Sequence, residues 1–375
     1  MTNKISSAII IGAGIFGVST ATQLIRRGVK VTIINDGSPA NGASGRSLSW
    51  LNSARIRSEE YHRLRMAGID RYRTLSAKLP DVDWLRFEGG LTWDADNAGN
   101  EIDAAYRHEI SLAYDALHVQ GSEIAKITPG IDGRAITPQG AIFNPGEGWV
   151  DLPMLIDYLL KEFSALGGVL VTDQGAASPQ VEGGRAIGAV TASGKRFEAD
   201  AVLIATGPAV PRMASDIGVT IGDGTPIALL IQTKPLDHPL RAVLNTPRVA
   251  IRPAPNGTFS LDADWAAEEV EVRADGSFAV KAETLQGLLD EASRVMEGNP
   301  VLEVVSYGAG PKPIPGDGEP VLGELQGVPG CFVAFSHSGA TLGLIAGELM
   351  AYEMATGARH PMLATFRPER FASTA

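Results

Sequence analysis

The stretch that decides the fold is residues 8–17, which read AIIIGAGIFG. Its first four residues are an apolar run typical of a strand buried on both faces. The pattern that follows predicts a helix over residues 15–27, which ends in two arginines before Gly28, a usual helix stop. Residues 29–34 predict a second strand. The chain therefore opens with a strand–helix–strand unit, which is typical of a parallel α/β sheet.

Three glycines in this stretch have the G-x-G-x-x-G spacing of a dinucleotide-binding turn. Gly12 allows the tight turn, Gly14 lets the backbone approach a pyrophosphate, and Gly17 allows close packing of helix on strand. Ile15 and Phe16 open the helix, where free N–H groups and the helix dipole favour phosphate. We predict that these five residues bind the cofactor. The motif by itself does not separate NAD from FAD.

An acidic residue is expected at the end of the second strand, where it would hold the ribose hydroxyls of the adenosine. Asn35 stands at that position and Asp36 follows it. A carboxylate accepts from both hydroxyls, whereas an amide oxygen accepts more weakly and its NH₂ needs another partner. Either Asp36 supplies the acceptor or Asn35 binds the ribose more weakly, and the sequence leaves both open.

Three later segments favour FAD over NAD. Residues 42–52 form a loop of small residues that can wrap a long cofactor, residues 205–208 (ATGP) follow a predicted strand, and residues 336–342 (SHSGATL) open the last helix. The N-terminus of that helix can stabilise the charge that a flavin gains on reduction. The cofactor-binding residues predicted here, together with Ala176, are Ser44, Arg46, Ser47, Leu48, Thr206, Gly207, Gly339, Ala340, Thr341 and Leu342.

Composition and charge argue against several classes of protein. A net charge of −11 argues against nucleic acid or an anionic membrane as the partner. Cys331 is the single cysteine and the six histidines are scattered, so neither a disulfide framework nor a metal site is expected. No run of about 18 apolar residues predicts a membrane span, and the first seven residues are too polar for a secretory signal. We therefore expect a cytoplasmic protein.

The predicted strands and helices alternate at both ends of the chain, whereas residues 210–310 hold short strands separated by proline-containing turns. We therefore predict an α/β protein, in which a FAD-binding Rossmann-like domain carries an inserted antiparallel-sheet substrate domain. The predicted FAD-binding domain comprises residues 1–80, 145–215 and 305–375. The predicted substrate domain comprises residues 81–144 and 216–304.

The chain resembles the family of D-amino-acid oxidases, glycine oxidases and sarcosine oxidases over nearly its whole length. The resemblance rests on the N-terminal fingerprint and on residues 89–91 (GGL), 145–151 (PGEGWVD), 205–207 (ATG), 312–320 (KPIPGDGEP) and 337–339 (HSG). It implies a flavin domain, an antiparallel sheet that covers the substrate, and oxidation of an amine to an imine that water hydrolyses. It also implies non-covalent FAD here, because the sarcosine-oxidase branch carries its flavin-linking cysteine near Gly310, whereas Cys331 lies elsewhere.

The resemblance further implies which residues bind the substrate. Lys312 stands where family members often have the arginine that binds the substrate carboxylate, and a lysine lacks the two-pronged guanidinium. Arg252 is a candidate helper, or else a solvated surface arginine. Trp50 and Asn52 fall in the loop that reaches the flavin ring, where Trp50 either walls the substrate pocket or belongs to the core. His337 is predicted to make a structural contact, and no catalytic residue is assigned.

We therefore expect an FAD-dependent oxidoreductase, either an oxidase or a dehydrogenase, that oxidises an amine C–N bond in an amino-acid-derived substrate. The altered carboxylate anchor favours N-substituted amino acids, such as sarcosine-like, opine-like or fructosyl (Amadori) compounds. The open alternatives are a D-amino-acid oxidase or dehydrogenase, an NAD(P)-dependent dehydrogenase, and a non-catalytic flavin subunit. The expected electron acceptor is O₂ or a quinone.

Overall fold

The protein is described by a computed structural model that covers residues 5–372, so the outer ends of the predicted ranges 1–80 and 305–375 lie outside the described residues. In chain order its strands are β1 Ser7–Ile11, β2 Lys30–Ile34, β3 Trp50–Leu51, β4 Leu85–Arg86, β5 Gly90–Thr92, β6 Leu117–Val119, β7 Ala141–Asn144, β8 Gly148–Val150, β9 Val169–Val171, β10 Ala177–Glu182, β11 Arg185–Thr191, β12 Arg196–Glu198, β13 Ala201–Ile204, β14 Ile227–Thr233, β15 Val243–Asn245, β16 Ala250–Ala254, β17 Thr258–Asp262, β18 Glu271–Val272, β19 Phe278–Ala279, β20 Val304–Pro311, β21 Val321–Glu324 and β22 Cys331–Phe335. The helices are α1 Ile15–Arg26, α2 Glu59–Lys78, α3 Ile102–Ser111, α4 Ile124–Ile127, α5 Leu152–Ala165, α6 Val210–Ser215, α7 Asp264–Glu268, α8 Ala282–Val295 and α9 Gly339–Thr356.

The chain forms two compact units, each assembled from separate segments. The first unit contains the chain up to residue 45, residues 152–226 and the chain from residue 311 on, and the second contains residues 46–151 and 227–310. Residues 46–80, 145–151 and 305–310 pack in the second unit, although the predicted FAD-binding ranges include them. The predicted substrate range 216–304 begins with eleven residues that pack in the first unit.

The first unit is built on a six-stranded sheet in the order β21-β22-β13-β1-β2-β9. Strand β1 runs parallel to β2 and β13, and those two run parallel to β9 and β22 respectively. The carboxyl ends of these strands share one edge, where ligands bind in sheets of this kind. Helix α9 packs on α1 so closely that a Cβ on Gly347 would stand 2.1 Å from Oγ of Ser19. The predicted parallel α/β core is confirmed.

The second unit is built on an eight-stranded sheet in the order β20-β14-β17-β16-β15-β5-β7-β6. From β14 to β6 the neighbouring strands are antiparallel, apart from β5 and β15, which run parallel. The predicted antiparallel sheet is therefore a mixed one. Its core includes the fully buried side chains of Leu91, Leu244, Ile251, Leu261 and Leu288. A separate three-stranded sheet, β3-β8-β4, also lies in this unit.

Two local details decide where site residues fall. Helix α2 begins after Ser58, whose side chain accepts a hydrogen bond from the backbone N–H of Tyr61, as is usual for an N-cap. Residues 246–249 form a turn in which the backbone N–H and the hydroxyl of Thr246 both donate to the carbonyl of Val249. Strand β16 begins directly after this turn. Arg252 is therefore the third residue of a five-residue strand.

Two kinds of feature are absent from the described part of the chain. No helix among residues 5–372 is long and apolar enough to cross a membrane. Within the same residues, no group of three or more His, Cys, Asp or Glu side chains is arranged to hold a metal ion.

Candidate cofactor and substrate sites

The turn after β1 is built on glycines that leave no room for a side chain. A Cβ on Gly12 would stand 2.5 Å from the carbonyl oxygen of Ala205, and one on Gly17 would stand 1.9 Å from the carbonyl oxygen of Gly12. Gly12 also has φ +108°, which disfavours other residues. The segment after β13, which contains Thr206 and Gly207, therefore lies directly beside the turn. Two of the predicted cofactor segments meet here.

The start of α1 offers the features that bind phosphate. Gly14 is its N-cap and gives no side-chain cap, and the first turn has no acidic residue. Oγ of Ser44 accepts the backbone N–H of Ile15 at 3.1 Å and lies 3.2 Å from the position of a Cβ on Gly14. A predicted residue of the 42–52 loop thus reaches the helix N-terminus.

The side chain of Asn35 is occupied by the protein itself. Its Oδ1 accepts the backbone N–H of Ala13 at 2.8 Å, and its Nδ2 donates to the carbonyls of Gly37 at 2.9 Å and Ser38 at 3.0 Å. Both ends of the amide are therefore used to tie the turn after β1 to the turn after β2. Asp36, by contrast, is exposed. Of the two residues left open by the sequence, Asp36 has the carboxylate that is available to a ribose.

The start of α9 lies beside the start of α1. A Cβ on Gly339 would contact Cγ2 of Ile15 at 3.6 Å and Cε2 of Phe16 at 3.9 Å. The residue before α9, Ser338, gives no side-chain cap. Two helix N-termini, those of α1 and α9, therefore lie side by side, with the predicted residues Ala340, Thr341 and Leu342 in the first turn of α9. His337 is exposed just before that turn.

Ala176 lies five residues beyond the end of β9, the strand next to β2. Its carbonyl accepts the backbone N–H of Ala192 at 2.7 Å, and the residue is exposed. No contact in the described chain joins Ala176 to the glycine turn, so its assignment as a cofactor ligand stays a prediction.

The first unit therefore fits a dinucleotide cofactor. The glycine turn after β1 has no side chains at Gly12 and Gly14, and the first turn of helix α1 beside it has no acidic residue. Asp36 follows β2 and is exposed. A second helix N-terminus lies next to the first, which suits a cofactor with a second group that gains negative charge. FAD has such a group in its isoalloxazine ring.

The remaining predicted loop residues belong to the second unit. Arg46 lies along strand β20, where its side-chain atoms come within 3.1 Å of the positions that Cβ atoms on Gly308 and Gly310 would take. Partial burial lowers the pKa of Arg46. Ser47 accepts the backbone N–H of Ser49 at 3.0 Å, and Leu48 between them is half-buried.

Trp50 and Asn52 lie on and just after β3. Trp50 is half-buried and paired with Trp149 in the three-stranded sheet. Asn52 is buried, and its Oδ1 and backbone carbonyl both accept hydrogen bonds from the guanidinium of Arg65, each at 2.8 Å. Its Nδ2 donates to the carbonyl of Trp50 at 3.2 Å. Most of the Asn52 amide is thus engaged within its own unit.

Arg252 is buried, with 2% of its side chain exposed, so the alternative of a solvated surface arginine is wrong. Its NH2 donates to Oγ of Ser260 at 2.8 Å, and its guanidinium lies 5.3 Å from the centre of the Trp149 ring. The carboxylate of Asp151 is 3.9 Å away, beyond hydrogen-bond distance. Within residues 5–372 its Nε has no hydrogen-bond partner. Burial lowers the pKa of Arg252 to about 10, and Asp151 opposes that shift.

Lys312 follows β20 in the first unit and is half-buried. Its backbone N–H donates to the carbonyl of Pro226 at 2.8 Å. Cys331, by contrast, is fully buried in β22, and burial raises the pKa of its thiol to about 12. A thiol that stays protonated and inaccessible is a poor group for attaching a flavin.

Sequence reasoning missed a buried polar cluster under the segment of residues 50–53. Glu147 and Glu109 are 0% and 1% exposed, and Tyr114 and His62 are also buried. Glu147 lies in the quoted stretch PGEGWVD, but nothing in that stretch indicates that a charged residue turns inward. The burial follows from packing against α2 and α3, which is a tertiary effect.

Comparison with known proteins agrees with this geometry. The sequence profile of the family described as FAD dependent oxidoreductase (DAO) matches residues 7–353. An uncharacterized oxidoreductase of Bacillus subtilis, YurR, is 26% identical over 92% of this chain and 94% of its own length. Glycine oxidase of Geobacillus kaustophilus is 24% identical over 94% and 93% respectively, and its crystal structure superposes with a TM-score of 0.80 over 98% of both chains, at 22% identity.

L-Amino acid deaminase of Proteus myxofaciens, solved with anthranilate, superposes with a TM-score of 0.83 over 99% of this chain and 94% of its own, at 18% identity. That likeness concerns the fold alone. The profile match, by contrast, spans most of the chain, including the glycine turn and both helix N-termini described above. It decides between the two dinucleotides in favour of FAD, and the chain belongs to the DAO family of FAD-dependent oxidoreductases.

Proposed function

We propose that this enzyme oxidises the amine C–N bond of an N-substituted amino acid and that Arg252 holds the carboxylate of that substrate. The observation that carries the proposal is the incomplete compensation of the buried Arg252 guanidinium. A fully buried cation normally has a carboxylate in hydrogen-bond contact, because desolvation costs several kcal/mol. Asp151 lies 3.9 Å away, and in the part of the chain that the structure describes Nε has no hydrogen-bond partner, so Arg252 is short of such a contact.

A substrate carboxylate supplies what this guanidinium lacks. Arginine presents parallel N–H groups that match a carboxylate, and such charge-assisted pairs are stronger than neutral hydrogen bonds. The hydroxyl of Ser260 and the ring of Trp149 hold the guanidinium in place before the substrate arrives. An anchor that is fixed in advance loses little entropy on binding.

The lysine at position 312 favours a substrate that is larger than a simple amino acid. A lysine attracts a carboxylate as a point charge and tolerates a range of positions. Arg252 and Lys312 are each proposed to attract a carboxylate, and a lysine in place of the usual arginine favours a ligand that carries an additional N-substituent beside its amine and carboxylate. Sarcosine-like, opine-like and fructosyl amino acids fit this description. The glycine oxidase and L-amino acid deaminase relatives act, by name, on amino acids without such a substituent.

The chemistry that we propose needs no strong protein base. When bound, FAD would supply the acceptor for a hydride from the carbon next to the amine nitrogen. Loss of that hydride, and of one N–H proton to solvent water, leaves a carbon–nitrogen double bond. Water then adds to the imine, so the products are a carbonyl compound and an amine. The tasks left to the residues of this chain are to orient the substrate, to exclude water and to favour the neutral amine.

The test is anaerobic bleaching of the flavin absorbance with D-, N-methyl- and N-fructosyl amino acids. Rapid bleaching by N-substituted compounds is expected, and bleaching by D-amino acids alone would favour a D-amino-acid oxidase or dehydrogenase. Reoxidation by O₂ compared with a soluble quinone then identifies the acceptor. Heat precipitation of the protein should release the flavin into solution, since we propose a non-covalent cofactor.

The carboxylate anchor is tested with Arg252→Met and Lys312→Met. We expect the KM for the best substrate to rise about ten-fold or more in Arg252→Met, since a charge-assisted hydrogen bond is worth about 1.5–3 kcal/mol. Arg248→Met is the matched control, because Arg248 is 54% exposed and lies on the ring of Trp265. If neither Arg252→Met nor Lys312→Met changes the KM, the anchor assignment is wrong.

A further inference from the structure

We propose that Glu147 is a positioning residue that holds the segment of residues 50–53 as a neutral carboxylic acid. This inference rests on the proposed function, together with the prediction from the sequence that Trp50 and Asn52 of that segment bind the substrate. The inference adds that the protonation state of Glu147 determines how residues 50–53 are held. The argument concerns residues of the second unit only.

The first oxygen of Glu147 is a shared acceptor. Oε1 receives the hydroxyl of Tyr114 at 2.5 Å and the backbone N–H of Ser53 at 3.2 Å. The same N–H also donates to the Tyr114 oxygen at 3.0 Å. Ser53 is fixed from its other side by a hydrogen bond between its hydroxyl and Nδ1 of His62 at 2.9 Å. Glu147 therefore holds the backbone at the end of the segment directly.

The second oxygen of Glu147 lies beside Trp50. Oε2 and the indole Nε1 of Trp50 lie 2.2 Å and 2.9 Å, respectively, from the position that a Cβ on Gly90 would take. Glycine at position 90 is what allows this approach. Among the described residues Oε2 has no hydrogen-bond partner, and Glu147 is fully buried. An unpartnered carboxylate oxygen in such a place is costly when charged and far less so when it carries a proton.

Several charged or titratable groups face Glu147 from the elements packed around it. Glu109 on α3 is a second buried carboxyl, Arg65 comes from α2, and Arg57 precedes α2, while His62 of α2 lies against the ring of Tyr114. Burial raises the pKa of Glu147 to about 8, and the charge of Glu109 adds to this shift. The hydrogen bonds from Tyr114 and Ser53 and the charge of Arg65 act in the opposite direction. The neutral acid is thus the dominant form below about pH 8.

Ionisation would change what holds the segment. With the proton on Oε2, Glu147 is a neutral acceptor for Tyr114 and Ser53. Once the proton leaves, a negative charge stands beside the indole N–H of Trp50, which is a donor. The ring of Trp50 is then drawn toward the charge, so the two protonation states hold the segment differently.

The experiment follows the near-ultraviolet circular dichroism of tryptophan in the FAD-loaded protein between pH 6.5 and 9.5. The Trp50→Phe variant identifies the part of the signal that belongs to Trp50. We expect that part to change with a midpoint near pH 8 in the wild type and to be constant in Glu147→Gln, which is neutral at every pH. Tyr114→Phe removes a donor that favours the ionised form, so its midpoint should be higher.

Glu88→Gln is the matched control, since Glu88 is exposed and should leave the transition unchanged. A transition that persists in Glu147→Gln, or its absence from the wild type, would overturn the inference. Acetate binding, measured through the flavin spectrum across the same pH range, tests the link to the substrate. A transition with the expected variants but no acetate binding at any pH would contradict the proposed function and leave the role of Glu147 intact.

Discussion

The side-chain oxygen of Asn35 accepts the backbone N–H of Ala13 at 2.8 Å. This hydrogen bond joins the ends of two neighbouring parallel strands and uses the amide where an acidic residue was expected to hold a ribose. Asparagine suits this role because it can donate to the turn of residues 37–38 while it accepts from Ala13. The bond is structural, so we propose that Asp36 makes the ribose contact.

We predict that Asp36→Asn weakens FAD binding more than it destabilises the fold. Loss of a charge-assisted hydrogen bond to a ribose hydroxyl corresponds to about 1.5–3 kcal/mol, or a rise in the Kd for FAD of about ten-fold or more. Asn35→Ala should lower the melting temperature of the apoprotein, which Asp36→Asn should leave nearly unchanged. Flavin fluorescence titration and apoprotein unfolding measure the two effects. Equal Kd values for wild type and Asp36→Asn would contradict the assignment.

We predict that Gly17→Ala prevents FAD binding, although alanine is normally the better helix former. The added Cβ would stand 1.9 Å from the carbonyl oxygen of Gly12, so the turn and the start of α1 must move apart. Gly28→Ala is the control, because Gly28 has φ +80° but no atom of residues 5–372 lies within 4 Å of the added Cβ. That change should cost only about 1–2 kcal/mol of backbone strain and leave the flavin bound. The flavin content of the purified variants decides.

A buried ion pair between Glu353 and Arg367 is predicted to stabilise the C-terminal part of the first unit. The two side chains are 4% and 5% exposed and make two hydrogen bonds of 2.6 Å each. Arg367→Met leaves a buried carboxylate without its cation and should lower the free energy of unfolding by about 3–5 kcal/mol. The double variant with Glu353→Leu should be more stable than Arg367→Met alone.

The control for this pair is Arg26→Met. Arg26 forms an ion pair with Glu162, and their side chains are 42% and 30% exposed, respectively. Exposed ion pairs of that kind contribute about 0–1 kcal/mol to the free energy of unfolding. Denaturant unfolding of the four proteins gives the comparison. Similar losses in Arg26→Met and Arg367→Met would show that burial of the Glu353–Arg367 pair has no special effect.

The buried Glu147 also predicts how stability depends on pH. Its pKa is about 8 in the folded protein, against an ordinary value of 4.5. Between these two values the folded state keeps a proton that the unfolded state has released, so rising pH favours unfolding. The wild type should therefore lose stability relative to Glu147→Gln as the pH rises from 5 to 8, by up to about 1.4 kcal/mol per pH unit. Denaturant unfolding at pH 5, 6.5 and 8 measures this, and a constant difference would contradict it.

The sequence by itself determined the nucleotide-binding half of this protein. Gly12, Gly14 and Gly17 can be recognised from the sequence because a tight turn with close backbone contacts requires glycines at this spacing. The helices and strands around them follow from short-range sequence patterns. The later segments at residues 205–207 and 339–342 were recognised in the same way, and the structure brings both to the glycine turn.

The tertiary structure alone decided the roles that depend on burial and partners. Asn35 and Asp36 are adjacent in the chain, yet only the approach of Ala13 shows which of them is occupied. Arg252 reads as an ordinary strand arginine until the sheet buries it beside Trp149, and Glu147 reads as a turn residue until α2 and α3 enclose it. Periodicity and motif spacing in the sequence reflect the steric and hydrogen-bonding requirements of residues that are close in the chain. The charge state and hydrogen bonds of a side chain depend on groups that are distant in the sequence, as Ser53 is from Glu147, and these groups come together only when the chain is folded.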